Sequence, residues 1–114
     1  MTDDCIFCRI ASGELAVAKV AENEDCIAFR DIAPQAPVHV LVIPREHYHS
    51  LEDVPDAARV VGAMAALAQQ VARYEEVASK GYRCVINTGA DGGQTVGHLH
   101  MHVLGGRGHG WPPG

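Results

Sequence analysis

The chain lacks any excess of positive charge: nine Lys and Arg stand against fourteen Asp and Glu, for a net charge of −5 over 114 residues. With no basic run to act as a phosphate track, the composition argues against a nucleic-acid surface. There is also no apolar run near the ~20 residues needed to span a bilayer, so no membrane partner is expected. The leading Met1-Thr2-Asp3-Asp4 is acidic and no apolar stretch follows it, unlike a secretory signal. Four cysteines without such a signal are expected as reduced thiols, which points to the cytoplasm. What these absences leave is one soluble domain over residues 1–114, near the low end of the lengths that build a good core alone. Its 47% apolar content fits that class.

Against this background one stretch stands out, His98-Leu99-His100-Met101-His102-Val103-Leu104. Histidine alternates with an apolar residue, which is a strand pattern. Alternate side chains on a strand point to opposite faces. His98, His100 and His102 are therefore expected on one face, about 6.5–7 Å apart, with Leu99, Met101 and Val103 packed on a core. Such a row serves two chemistries. One imidazole can be a nucleophile while its neighbours manage protons and charge. Alternatively, two or three can bind zinc.

The preceding segment, Asn87 to Gly97, is rich in glycine and small polar residues. Glycines let backbone N–H groups approach a ligand, and successive N–H groups form an anion-binding concavity. Gln94 and Thr95 add side-chain donors. A glycine-rich loop alone is usually only a turn. Placed directly before the histidine row, it suggests a phosphate held against a nucleophilic imidazole.

The remaining pattern gives a short helix from Cys5 to Ser12, strands at Ala18–Ala21 and Cys26–Arg30 around the polar turn Glu22–Asp25, and a strand at Val38–Ile43. On that third strand His39, Leu41 and Ile43 share one face and Val38, Val40 and Val42 the other. A long helix is expected from about Pro55 to Lys80, capped by Asp53 and stopped by Gly81. Tyr82–Asn87 reads as a strand. Mixed strands with one long helix and no βα repetition imply α+β with a mainly antiparallel sheet. Cys5 and Cys8 form half of a zinc site and need two further ligands, expected to be histidines. His49 reads as a surface residue. The glycine-rich tail from Gly105 to Gly114 carries the only Trp.

The stretch Gly93-Gln94-Thr95-Val96-Gly97-His98-Leu99-His100-Met101-His102-Val103-Leu104 resembles the signature of the histidine triad (HIT) family. Cys5-Ile6-Phe7-Cys8, Phe29-Arg30-Asp31-Ile32, Pro34-Gln35-Ala36-Pro37-Val38-His39, Val42-Ile43-Pro44 and Trp111-Pro112-Pro113-Gly114 resemble its Hint branch. The resemblance implies a five-stranded, mainly antiparallel sheet with one long and one short helix. It also implies a homodimer that joins two sheets into one.

For function, the resemblance implies a purine nucleotide-binding hydrolase that cleaves nucleoside 5′-phosphoramidates through a nucleotidyl-histidine intermediate. His100 would be the nucleophile, His102, Thr95 and the loop N–H groups would hold the phosphoryl oxygens, and His39 and His98 would line the site. Asp31 would accept hydrogen bonds from the ribose hydroxyls. Asn87, Gly93 and Gln94 would contact the substrate, and Trp111 would lie near the site across a dimer interface. Phe7, Ile10, Leu15, Phe29 and Ile32 would form the slot for the base. No cofactor is needed for the chemistry. A structural zinc would sit between Cys5, Cys8, His47 and His98, which sets two roles for His98 against each other. Gly97 stands where relatives carry a bulkier residue, and it would open the leaving-group side. Three alternatives stand beside this reading. A dinucleoside polyphosphate hydrolase is disfavoured by the Cys pair and the Trp-Pro-Pro-Gly ending. The others are a non-catalytic nucleotide- or protein-binding module, and a metalloenzyme with zinc on the histidine row.

Overall fold

The computed structural model describes residues 4–114; the first three residues of the acidic leading segment lie outside them. A short helix α1 (Ile6–Ala11) precedes strands β1 (Lys19–Glu22), β2 (Cys26–Arg30) and β3 (Val38–Pro44). A 3-10 turn (Leu51–Asp53), the long helix α2 (Ala57–Tyr74), and strands β4 (Tyr82–Val85) and β5 (Met101–Gly105) follow. The five strands form one sheet in the order β1-β2-β3-β5-β4, and every neighbouring pair is antiparallel. This is the α+β architecture expected, with one long and one short helix.

Period-two alternation divides the core between the two faces of the sheet. Cys26, Ala28, Val40, Val42, Leu99, Met101 and Val103 pack with Val60, Met64, Leu67 and Val71 of α2. Ile27, Phe29, Leu41 and Ile43 turn the other way and pack with Phe7 and Ile10 of α1. Strand β3 is buried on both faces, as its nearly continuous apolar run requires. The α1 side is thinly covered, because a six-residue helix cannot roof five strands. The site lies in that gap.

Several boundaries differ from expectation. Helix α2 is capped by Asp56, whose carboxylate accepts from the Arg59 N–H at 3.2 Å, whereas Asp53 accepts from the Ser50 hydroxyl. It ends at Tyr74 and not near Lys80. Glu76 adopts φ 61°, which breaks the helix and turns Val77 inward onto the end of β5. A Cβ at Gly105 would stand 2.9 Å from the Val77 side chain, so only glycine fits there. Strand β5 begins at Met101, not at His98. Its ladder with β3 stops at the Val42–Met101 pair, and the Leu99 N–H turns aside to the Tyr48 carbonyl at 2.7 Å. The alternation of faces nevertheless persists through His98–His100, since Leu99 remains in the α2-side core. Strand β4 stops at Val85, two residues short of Asn87.

Candidate active site

The thinly covered face encloses a cavity of about 360 Å³. Phe7, Ile10, Leu15, Phe29 and Leu41 make its apolar wall, and Asp31, Thr95, His100 and His102 its polar corner. A larger depression of about 650 Å³ lies against Glu75, Glu76, Lys80 and Arg107, but it carries neither an imidazole nor a hydroxyl. The smaller cavity, which gathers the imidazoles and the Thr95 hydroxyl, is therefore the candidate site.

The backbone partner of each imidazole fixes where its proton sits. His100 Nδ1–H donates to the His98 carbonyl at 2.7 Å. This leaves the lone pair on Nε2, toward the cleft. His39 has the opposite partner: the Gln35 N–H donates to its Nδ1 at 3.0 Å, so its proton is on Nε2. That N–H donates to His102 Nδ1 at 2.9 Å, with Asp31 Oδ2 a further 3.4 Å neighbour of the same nitrogen. His102 in turn keeps its proton on Nε2 and offers a donor to the cleft. His39 and His102 are diagonal neighbours across the β3–β5 ladder, on the face shared with Leu41. Burial, and then the neighbouring His100 and His39, hold His102 down at about 4. Burial lowers His39 as well, against the attraction of Asp31. Both are neutral near pH 7. An imidazole nitrogen with a free lone pair thus faces an N–H donor across a half-apolar cleft. Phe7 fixes this arrangement from below, with its ring edge-on to His100 at 5.3 Å, Phe29 at 5.7 Å and His98 at 5.8 Å.

Behind Phe7 lies a second cluster. Cys5, the N-cap of α1, and Cys8 on its first turn converge with His47 and His98. Cys5 Sγ is 3.3 Å and Cys8 Sγ 3.6 Å from His98 Nδ1, and Cys8 Sγ is 3.3 Å from His47 Nδ1. Sulfur and nitrogen on one tetrahedral zinc stand about 3.5 Å apart, given the usual bond lengths. The donor set fits such an ion. His98 Nε2–H donates to the Pro44 carbonyl at 2.9 Å, the outer partner that turns a histidine lone pair toward a metal. Asp31, His39 and His102 also lie close enough to share an ion.

A family model described as the HIT domain matches residues 12–109. The chain belongs to the HIT domain family. It is 47% identical over 115 aligned positions, across the whole of both chains, to an uncharacterized HIT-like protein of Synechococcus elongatus. Its structure is similar to that of a HIT family hydrolase from Legionella pneumophila, with a TM-score of 0.92 and 44% identity over 97% of this chain and 100% of that one. A zinc-bound histidine triad family protein from Mycobacterium smegmatis gives a TM-score of 0.81 at 37% identity, over 91% of this chain and 76% of that one. The chain thus has the fold of a HIT family hydrolase.

In this HIT domain Phe7, Ile10, Leu15, Phe29, Asp31, Ile32, Thr95, His100 and His102 all line the cleft, and His39 stands directly behind His102. The other expected site residues fall outside it. His98 is fully buried, and its carbonyl, not its ring, reaches toward the site. Its two expected roles are thereby separated: the ring belongs to the thiol cluster and the carbonyl orients His100. Asn87 does not reach the cleft, because its amide donates to the Gly92 carbonyl at 2.7 Å and braces the loop. Gln94 is also spent on the loop, donating to the His49 and Val96 carbonyls and accepting from the Gly89 N–H. The Gly93 and Gln94 N–H groups donate to the Ala90 and Gly89 carbonyls at 3.1 Å each, so these two donors are spent within the loop. Trp111 is 84% exposed and outside the cleft of its own chain. A Cβ at Gly97 would stand 2.8 Å from the His49 ring, and both residues border a depression of about 400 Å³ beside Thr95 and Val96. Leu41 and Val96 were not anticipated as lining residues. Leu41 was findable, since it shares a face with His39. The Gln35 N–H was not, because a backbone donor has no side-chain signature.

Proposed function

We propose that this HIT domain hydrolyses nucleoside 5′-phosphoramidates of a purine nucleotide through a nucleotidyl-histidine intermediate. One observation carries the reading: His100 is held by its Nδ1 on the His98 carbonyl, with its Nε2 left for the same cleft that Phe7, Ile10 and Phe29 line. The base occupies the apolar slot and Asp31 takes the ribose hydroxyls at its mouth. His102 Nε2–H and Thr95 hold the phosphoryl oxygens. His100 Nε2 attacks the α-phosphorus; a P–N(imidazole) bond forms as the bond to the amine breaks, and the amine leaves with a proton from solvent. The positive charge on the substituted imidazole is stabilised by the hydrogen bond to the His98 carbonyl, which favours a charged donor. Water then attacks phosphorus, releases the nucleoside monophosphate and returns neutral imidazole.

Cys5, Cys8, His47 and His98 would hold zinc in a closed Cys2His2 set, with no open position for water. Bound there, the ion pins α1, and with it Phe7 and Ile10, to the sheet. The homodimer belongs to the same proposal. Strand β4 is an unpaired sheet edge and Trp111 is exposed near it, the tail being tied to β4 by Arg83, which donates to the Gly110 carbonyl at 2.7 Å. Comparison of turnover on adenosine 5′-phosphoramidate and on a diadenosine polyphosphate tests the reaction class. The reading expects the phosphoramidate to be preferred by at least tenfold; preference for the polyphosphate would overturn it.

A further inference from the structure

We propose that the backbone N–H of Gln35 is a positioning group that sets the proton pattern of His39 and His102 and keeps divalent metal off the catalytic cleft. The inference rests on the reading of that cleft as the catalytic site, but its test reads protons and metal rather than turnover. One ligand atom each from Asp31, His39 and His102 lies within 4.8 Å of the other two; His39 Nε2 is 2.9 Å from His102 Nδ1 and 3.4 Å from Asp31 Oδ2. Two imidazoles and a carboxylate are a common ligand set for divalent ions. They also share the sheet with a cluster built to take zinc. Nothing in residue type or spacing keeps an ion from the wrong trio.

The tautomers do. A neutral histidine that binds metal through Nε2 carries its proton on Nδ1. At His39 that position faces the Gln35 N–H at 3.0 Å, so ligation would set two N–H hydrogens against each other. His98 has the reverse environment. Its Nε2 faces the Pro44 carbonyl at 2.9 Å, which leaves Nδ1 free for an ion. One backbone donor and one backbone acceptor thus sort histidines of the same sheet into hydrogen-bonding and metal-binding roles. The Gln35 residue is itself held: Arg107 Nε and Nη2 both donate to its carbonyl, at 3.2 and 3.1 Å. With the lock in place, the His39 proton lies toward His102 Nδ1 at 2.9 Å, and the His102 proton lies toward the cleft.

The test uses the full chain labelled with 15N-histidine, titrated with zinc chloride, beside Gln35→Pro, which deletes the N–H. In the wild type, His39 is expected as the Nε2–H tautomer, and the His39 and His102 signals stay unmoved after the thiol cluster is filled. Gln35→Pro is expected to populate the Nδ1–H tautomer at His39 and to bind one further zinc per chain, with both signals shifting. Three results would overturn the proposal: an Nδ1–H tautomer at His39 in the wild type, zinc-dependent shifts of His39 and His102 in the wild type, or a folded Gln35→Pro that keeps the wild-type tautomer and zinc stoichiometry. Should Gln35→Pro not fold, the two wild-type measurements still decide. Loss of hydrolysis alone would bear on the catalytic reading and not on this one.

Discussion

Replacing Phe7 by Ala removes the ring that joins the apolar slot to both histidine clusters. Phe7 is 7% exposed and meets Phe29, His98 and His100 edge-on at 5.7, 5.8 and 5.3 Å. Truncating a core Phe costs about 3–5 kcal/mol. One side of this ring faces the cleft, where water can fill the space, so the lower end of that range, ~3 kcal/mol, applies. An unfolding entropy of roughly 2.1 cal/mol/K per residue, taken over this chain, turns that loss into a Tm decrease of roughly 12 °C. The slot also loses its aromatic wall. A stacking or edge contact worth ~1 kcal/mol corresponds to about a fivefold rise in the Kd for a purine monophosphate. Calorimetric melting gives the first quantity and titration calorimetry with AMP the second. Phe7→Leu, which keeps most of the apolar volume, should recover more than half of the stability. A Phe7→Ala variant that melts within a few degrees of the wild type and binds AMP equally well would refute the placement of Phe7 as the shared support.

Further outcomes follow from the same geometry. Chelation of zinc, or Cys8→Ser, should lower Tm and weaken AMP binding together, because α1 supplies both Phe7 and Ile10; metal analysis should find one zinc per chain, and a value near zero after chelator-free preparation would remove the Cys2His2 site. Burial holds His102 at about 4, against near 6.5 in the unfolded chain. The unfolded chain therefore takes up the extra proton first, so the contribution is full above pH 6.5 and is lost as pH falls toward 4. Its size, after allowance for solvent in the cleft, is ~1–2 kcal/mol; His102→Gln should flatten the Tm–pH curve in that window, and an unchanged slope would count against the neutral buried imidazole. Asp31→Asn should raise KM for a ribonucleotide substrate about tenfold and leave a 2′-deoxy substrate nearly unaffected, and equal losses on both would deny the ribose contact.

The sheet was legible because β2 and β3 keep strict alternation between two buried faces, so each apolar residue reports its side. The slot rests on the family resemblance rather than on alternation, which nevertheless places Leu41 opposite Phe29 on the histidine face. Helix α2 ends before Lys80 although the apolar spacing of Val60, Met64, Leu67 and Val71 continues to Ala78. The left-handed Glu76 that stops the helix carries no local signal, and the fit of Val77 over Gly105 is tertiary. The loop from Asn87 to Gly97 is legible only in part: Thr95 lines the cleft, whereas the Asn87 and Gln94 side chains bond to nearby backbone. Its polar groups suit a ligand and a closed turn equally, and only the folded loop shows that Asn87 and Gln94 have already used their hydrogen bonds. The sequence sets two roles on the His98 ring. Its ring and its carbonyl are separate groups facing separate sites, a distinction that residue identity does not encode.

The central claim is that His100 is a nucleophile on phosphorus. Release of AMP from adenosine 5′-phosphoramidate by the wild type and by His100→Ala tests it most directly. The account predicts rapid release by the wild type and a loss of at least a thousandfold in the variant, with AMP binding retained. Equal release by both proteins would show that the imidazole held on the His98 carbonyl does not carry the reaction.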